Sequence, residues 1–413
     1  MIKSLTKLFS GNIAVQLISF SLMPLITRIY SPEELGIYQY VTTVALMSSP
    51  FVHLSLNQAM IRELDDERYK EIVKIACTIS FFSTIFLAVI FQISIFVDLS
   101  GMGLGFQHGI VFFLLSLSTA LFLFGRTKYI RSGQYGRFAA LGLISSFSAN
   151  SSKVIIGLWH PASLTLLAGL IIGNTFGAWY SARNLTFKSI KQFKKVSFLN
   201  IINTIKELKG FTFHLTLSQF ITTFIGWHLV FFAPFLAPSP EVGLLALALM
   251  VVKTPSYPFL DSMTKYAYSE STEAKGKKIN ITALFFKIGS LGLAGTLVSA
   301  SILATMGNTL FTIVFGPDWA TASDFAVLLF IPIIASFTLS PTYKTIANLH
   351  EQQSLLLISD LIILPFLGIL CLVALVNDWR LAEFVLLSSL LTFLSHLLKF
   401  ILVLLFTYRP QTN

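Results

Sequence analysis

The sequence predicts an all-α polytopic membrane protein of about twelve transmembrane helices, and three observations lead there. Of 413 residues, 54% are hydrophobic and only 12% are charged, about half the charged share of a soluble domain. Mean hydropathy is +0.77, and apolar runs of roughly 20 residues, the length that crosses a bilayer, recur along the chain. The formal charge of +10 collects in the short segments between these runs. There it reports topology rather than a nucleic-acid partner.

The first run, 9–29, follows Lys3 and Lys7 as a secretory signal would, yet it carries no small-residue cleavage pattern and reads as the first span. Runs at 36–60, 75–97, 108–125, 138–159 and 163–182 complete a first bundle of six. A second six follow at 210–236, 241–262, 281–305, 324–346, 354–376 and 383–407. Basic side chains are retained on the cytoplasmic face during insertion. With the N-terminus inside, that face receives Lys3, Lys7, Arg62 to Lys74, Arg126 to Arg137, Arg183 to Lys209, Lys265 to Lys278, Lys344 and Arg409, against only Arg28 and Arg380 outside. Both termini are therefore expected in the cytoplasm. The expected domains are a six-helix bundle at 1–185, a basic linker at 186–209 and a second bundle at 210–413. The linker alternates basic and apolar residues (Phe187, Lys188, Ile190, Lys191, Phe193, Lys194, Lys195), as an amphipathic interfacial helix or a solvated segment drawn to anionic lipid would.

The halves restart at one motif, Ser31-Pro32-Glu33-Glu34-Leu35-Gly36 and Ser239-Pro240-Glu241-Val242-Gly243-Leu244. In each, Ser caps a helix, Pro takes its first position and Glu favours the positive end of the dipole. Tyr129, Leu141, Leu143, Ile144 and Ser145 align without gaps to Tyr343, Leu355, Leu357, Ile358 and Ser359. Six spans per half is an even number, so the halves enter with one orientation, as in many transporters, and a substrate path between them is expected.

Ionisable side chains within spans are costly and so are functional candidates. Lys153 lies on a polar stripe of the fifth span, Ser146, Asn150, Lys153, Gly157 and His160, whose spacing puts all on one helix face. That face can line a wet cavity, or Lys153 can snorkel while Ser and Gly permit close packing. Lys253, near the middle of the eighth span, is followed by Tyr257 and Asp261 at intervals of four, with Pro255 and Pro258 interrupting the helix. Arg28 follows Pro24 at the outer end of the first span; its guanidinium could hold a phosphate, or anchor at the interface beside Tyr30. Asp261 and Asp360 are candidates for coupling an ion. His53, His214, His228 and His396 read as packing residues. Cys77 and Cys371 sit inside apolar runs with neither disulfide nor metal-ligand spacing.

Three strings resemble the bacterial polysaccharide-biosynthesis flippases, the O-antigen or Wzx-type branch of the multidrug/oligosaccharidyl-lipid/polysaccharide (MOP) exporter superfamily. They are Gly11-Asn12 through Met23-Pro24-Leu25-Ile26-Thr27-Arg28-Ile29-Tyr30-Ser31-Pro32-Glu33-Glu34-Leu35-Gly36, the restart at Ser239, and Leu310-Phe311-Thr312-Ile313-Val314-Phe315-Gly316-Pro317-Asp318-Trp319. The resemblance implies a MATE-like fold of two bundles in the bacterial inner membrane. It also implies translocation of an undecaprenyl-diphosphate-linked oligosaccharide from the cytoplasmic to the periplasmic leaflet by alternating access. Arg28 falls in the opening string; Lys153 and Lys253 match no family motif and rest on position alone. Relatives with fourteen spans, including lipid II flippases, are longer.

A diphosphate crossing a low-dielectric region needs opposite charge or retained water. Lys153 and Lys253, with Asn150 and Tyr257 beside them, can offer it, while the lipid tail stays in the bilayer. No phosphate-binding Gly-Lys-Ser/Thr loop supplies energy, so a proton or sodium gradient is the expected drive and no cofactor is expected. Membrane lipids and a polysaccharide polymerase or other assembly proteins are the expected partners. Two other readings stand beside this one. A drug antiporter of the same superfamily would favour deep carboxylates. A membrane glycosyltransferase or polymerase would use outer-loop carboxylates such as Glu33 and Glu34, which equally fit a helix cap.

Overall fold

The computed structural model describes residues 2–183, 197–274, 281–350 and 352–407. Among these the regular structure is entirely helical: α1 (Ile2–Ile29), α2 (Pro32–His53), α3 (Leu56–Arg62), α4 (Asp66–Phe96), α5 (Phe106–Arg131), α6 (Tyr135–Gly157), α7 (Ser163–Ala182), α8 (Phe198–Glu207), α9 (Thr216–Phe232), α10 (Ser239–Ala274), α11 (Ile281–Phe315), α12 (Ala322–Leu349), α13 (Gln353–Val376) and α14 (Leu381–Thr407). All but α8 fall where the apolar runs place spans, α2 and α3 sharing one run. Among the described residues eight stretches, in α4, α5, α6, α9 and α11 to α14, are long and apolar enough to cross a membrane by length and composition. In hydrocarbon no water satisfies a backbone group, so a spanning segment closes its hydrogen bonds within its own helix.

Local chemistry sets the ends. The Ser31 hydroxyl accepts from the Glu34 N–H at 3.3 Å, with Pro32 in the first turn. Asp65 accepts from the Glu67 N–H at 2.9 Å to start α4. The repeated motif starts α10 at Ser239, one residue earlier than expected. After α11, Gly316 takes φ +113°, a left-handed value that a side chain resists. It turns the chain into a 3-10 turn at Pro317–Trp319 that buries the Trp319 indole.

Two expectations change. The run 36–60 is not one helix: Leu54 and Ser55 have φ 45° and 51°, so α2 stops at His53 and α3 restarts at Leu56. The interrupted backbone finds side-chain partners. Ser55 N–H donates to His53 Nδ1 at 3.1 Å, the Ser55 hydroxyl donates to Gln219 at 2.9 Å, and Thr216 donates to the Ser55 hydroxyl at 3.1 Å. A π-helical turn at Gly210–Leu215 precedes α9 on the opposite side of that network. The basic part of the linker, 184–196, lies outside the described residues. Its continuation α8 is strongly amphipathic, and Ile201, Ile205 and Leu208 pack on Leu56, Met60, Ile72, Ile75, Ala76 and Ile79 rather than on lipid. Arg68 pairs with Glu207 at its end.

The chain divides into two compact units, one of residues 1–227 with 238–240 and one of residues 228–237 with 241–413. The tyrosines aligned by the internal repeat hold matching places. In the first unit Tyr129 packs with Phe138 and Leu141; in the second Tyr343 packs with Ile346, Ala347, Val403 and Leu355.

In the first unit α6 and α7 approach closely because small residues line the contact. A Cβ at Gly173 would lie 2.5 Å from the Ala149 Cβ and the Ser145 carbonyl oxygen, and one at Gly169 would lie 2.6 Å from the Lys153 Cγ. Gly173→Ala should therefore destabilise by about 1–3 kcal/mol. Gly295→Ala, where a Cβ meets nothing within 4 Å, should leave stability unchanged or slightly raised. Thermal unfolding of the two variants in detergent makes the comparison.

Candidate functional site

A cavity of about 330 Å³ opens within the first unit, lined by Val15 and Ser19 of α1, Tyr38 of α2, Phe122 and Arg126 of α5, a face of α6 from Phe138 to Lys153, and Leu170 of α7. Hydroxyl and amide groups tie α1 to α6 along one wall. Ser19 and Ser146 share a hydrogen bond of 3.0 Å. Asn150 Nδ2 donates to the Ser146 carbonyl at 2.9 Å and to the Ser19 hydroxyl at 3.2 Å. These groups give the cavity a polar wall on α6.

Two cations define the electrostatics. Lys153 is only 7% exposed; its ammonium donates to the Tyr38 hydroxyl at 2.8 Å and lies 4.5 Å from the centre of that ring. The Arg126 guanidinium lies 4.6 Å from the centre of Phe138 and 5.8 Å from that of Phe122. Aromatic faces attract cations without neutralising them. No carboxylate lines the cavity, and among the described residues none lies within ion-pair distance of either cation. Positive charge held in a site of reduced dielectric without a counter-ion favours an anionic ligand.

The structure brings Ser146, Asn150 and Lys153 together as lining and separates the rest of the predicted stripe. Gly157 is a packing residue: a Cβ there would lie 2.3 Å from the Tyr30 hydroxyl, which donates to the Lys153 carbonyl at 2.7 Å. His160 lies beyond the end of α6 and is exposed. Arg28 is exposed at the end of α1 and does not line the cavity. Lys253 sits half-buried on α10 in the second unit. Tyr257 and Asp261 follow it on that helix, and their side chains lie outside the described residues. Asp360, on α13, is ion-paired to Lys399 of α14 at 2.5 Å.

Arg126 is the lining residue that span counting misplaces, assigning it to a cytoplasmic loop. Helix α5 continues to Arg131, so Arg126 stays helical and meets Phe122 one turn earlier; that i, i+4 pair was the available signal. Glu34 also gains a defined role, since its carboxylate accepts from the Ser163 N–H and caps the start of α7.

A second, apolar cavity of about 720 Å³ lies within the second unit between α11, α12 and α14, with Phe285, Phe286, Leu293, Ile346 and Phe400 in its lining.

Known proteins share this fold. The lipid II flippase MurJ in an inward closed conformation aligns with a TM-score of 0.72 at 12% identity, covering 98% of this chain and 87% of that one. The eukaryotic MATE transporter AtDTX14 aligns at 0.52 and 12% identity, covering 100% and 96%. An inward-facing multidrug resistance MATE family transporter of the MOP superfamily aligns at 0.50 and 12% identity, covering 96% and 94%. At such identity the likeness shows the fold, that of MOP-superfamily transporters. No curated protein matches the chain by sequence. Residues 1–268 match the family described as polysaccharide biosynthesis protein.

The geometry predicts which positions meet water. With Cys77 and Cys371 replaced by serine, cysteines at Ser146 and Asn150 should react with a membrane-impermeant thiol reagent. A cysteine at Phe147, which is 61% exposed on the outside of the unit, should face lipid and stay unlabelled.

Proposed function

The chain belongs to the polysaccharide biosynthesis protein family, and from that premise we propose that it is a flippase. Its substrate is an undecaprenyl-diphosphate-linked oligosaccharide, a repeat unit of O-antigen or a similar surface polysaccharide. It carries this lipid from the cytoplasmic to the periplasmic leaflet of the bacterial inner membrane by alternating access. The observation that carries the reading is the cavity of the first unit, where Lys153 and Arg126 present two positive charges that no carboxylate among the described residues answers.

A diphosphate has the charge such a site needs. Lys153, held by Tyr38, can meet one phosphate as a point charge, and Arg126, laid on Phe138, can present its planar donors to the other. Asn150, Ser19 and Ser146 offer the donors and acceptors that hydroxylated sugars use. A volume of about 330 Å³ suits the diphosphate and the sugar next to it rather than a whole repeat unit. The prenyl chain remains in hydrocarbon. Lys253, Arg28 and Tyr257 remain candidates for contacts at other stages of the cycle. A polysaccharide polymerase that consumes the flipped lipid is the natural partner, and a proton or sodium gradient the candidate drive.

The cavity chemistry disfavours export of cationic drugs, since its charges would repel them. The cap made by Glu34 accounts for an outer acidic residue without catalysis.

Lys153→Gln and Arg126→Gln should each lower delivery of lipid-linked oligosaccharide to the outer leaflet by about tenfold or more, the factor that about 1.4 kcal/mol of lost anion stabilisation gives. The assay is restoration of surface polysaccharide in a deletion strain, with the trapped lipid-linked intermediate measured on the cytoplasmic side. Full restoration by both variants would remove the diphosphate route through this cavity.

Glu33→Gln and Glu34→Gln should be mild in the same assay, because a glutamine carbonyl at position 34 still accepts from the Ser163 N–H and Glu33 lines no part of the cavity. Loss of sugar assembly without a trapped intermediate would point to an enzyme instead.

A further inference from the structure

Among the described residues Asp360 is the one carboxylate side chain buried in the protein. It lies in α13, within the apolar stretch Ser354–Val376, which is long enough to cross a membrane. A carboxylate there is retained only with a partner, and the partner is part of the chain: the Lys399 ammonium of α14 at 2.5 Å, with side-chain exposures of 10% for Asp360 and 13% for Lys399. The other titratable groups facing the pair come from α12 and α14. His396 stands one helical turn before Lys399, its Nε2 at 2.9 Å from the Ser336 hydroxyl and its Nδ1 at 2.9 Å from the Tyr343 hydroxyl. Tyr343 is buried within the field of Asp360, and Lys344 and Lys399 both act on His396. Buried hydroxyls of Ser359 and Ser395 stand at neighbouring positions, so the pair sits in a partly polar interior.

We propose that Asp360 is a proton-binding site of the second unit, at which the Lys399 ammonium is a resident cation occupying the carboxylate whenever α13 and α14 are closed on each other. The Lys399 ammonium already occupies the site. A free cation or a proton therefore binds only when Lys399 withdraws, and the two events exclude each other. The step is a protonation alone: the Asp360 carboxylate takes one proton, an O–H bond forms, the ion pair is lost, and the cluster gains one positive charge. Re-forming the pair expels that proton. Under the transporter reading on which this rests, a cycle that opens and closes α13 against α14 moves one proton and needs no sodium.

The test separates the site from the substrate. The purified full-length chain in detergent is unfolded thermally in sodium chloride or choline chloride of equal ionic strength, at mildly acidic and mildly alkaline pH. The wild type should show the same midpoint in both salts. Lys399→Gln leaves the buried carboxylate alone, and protonation or sodium relieves that penalty; its midpoint should rise with acid or sodium. Asp360→Asn combined with Lys399→Gln should respond to neither. Should Lys399→Gln fail to fold, recovery on adding Asp360→Asn supports the resident-cation role and no recovery overturns it. Sodium stabilisation of the wild type that Asp360→Asn abolishes would overturn the proposal, as would a folded Lys399→Gln indifferent to both agents. Coupling is read in the deletion strain, where the double variant should lose at least tenfold in surface polysaccharide. Wild-type restoration by a folded double variant would leave the pair merely structural. The stability readouts use no lipid substrate, so failure of the oligosaccharide assignment leaves them interpretable.

Discussion

An ammonium buried in a membrane-spanning helix has to be held by something other than water, and in the first unit Tyr38 holds that of Lys153. Much of the unit's architecture serves this one contact. Tyr30 fastens the Lys153 carbonyl, Gly157 leaves room for the Tyr30 ring, and Gly169 leaves room for the lysine stem. Ser19, Ser146 and Asn150 close the wall below. The hydroxyl and ring of Tyr38 hold the ammonium without a negative charge, so its positive potential stays available to a ligand.

The two units solve the cost of a buried charge in opposite ways. The first keeps Lys153 and Arg126 on aromatic groups, with no carboxylate among the described residues lining the cavity. The second buries Asp360 and cancels it with Lys399. One arrangement is suited to bind an anion, the other holds a pair with no net charge. The internal repeat supplies a common scaffold for both, since Tyr129 and Tyr343 mark the same buried junction in each unit.

Sequence reading located the helices because hydrophobic length is a property of consecutive residues. It located Lys153 and Asn150 in one lining face because helical spacing is local too. It placed Gly157 and His160 in that same face, since periodicity cannot see the Tyr30 ring that crosses one or the helix end that precedes the other. Arg126 was assigned to a loop because hydropathy falls where α5 continues. The break at Leu54 and Ser55 left no glycine or proline at the site; its partners, Gln219 and Thr216, lie more than 160 residues away.

The chain alone therefore determined that this is a multi-helix membrane protein with a repeated half and a few costly charges, because the bilayer imposes length and polarity on each segment separately. Tertiary structure alone decided which charges are answered and which are not. Tyr38 reaches Lys153 across 115 positions, and Lys399 reaches Asp360 from another helix. Whether a buried cation serves a ligand or a carboxylate depends on which side chain packing brings within about 3 Å of it, the reach of a hydrogen bond, and spacing along one helix carries no record of that.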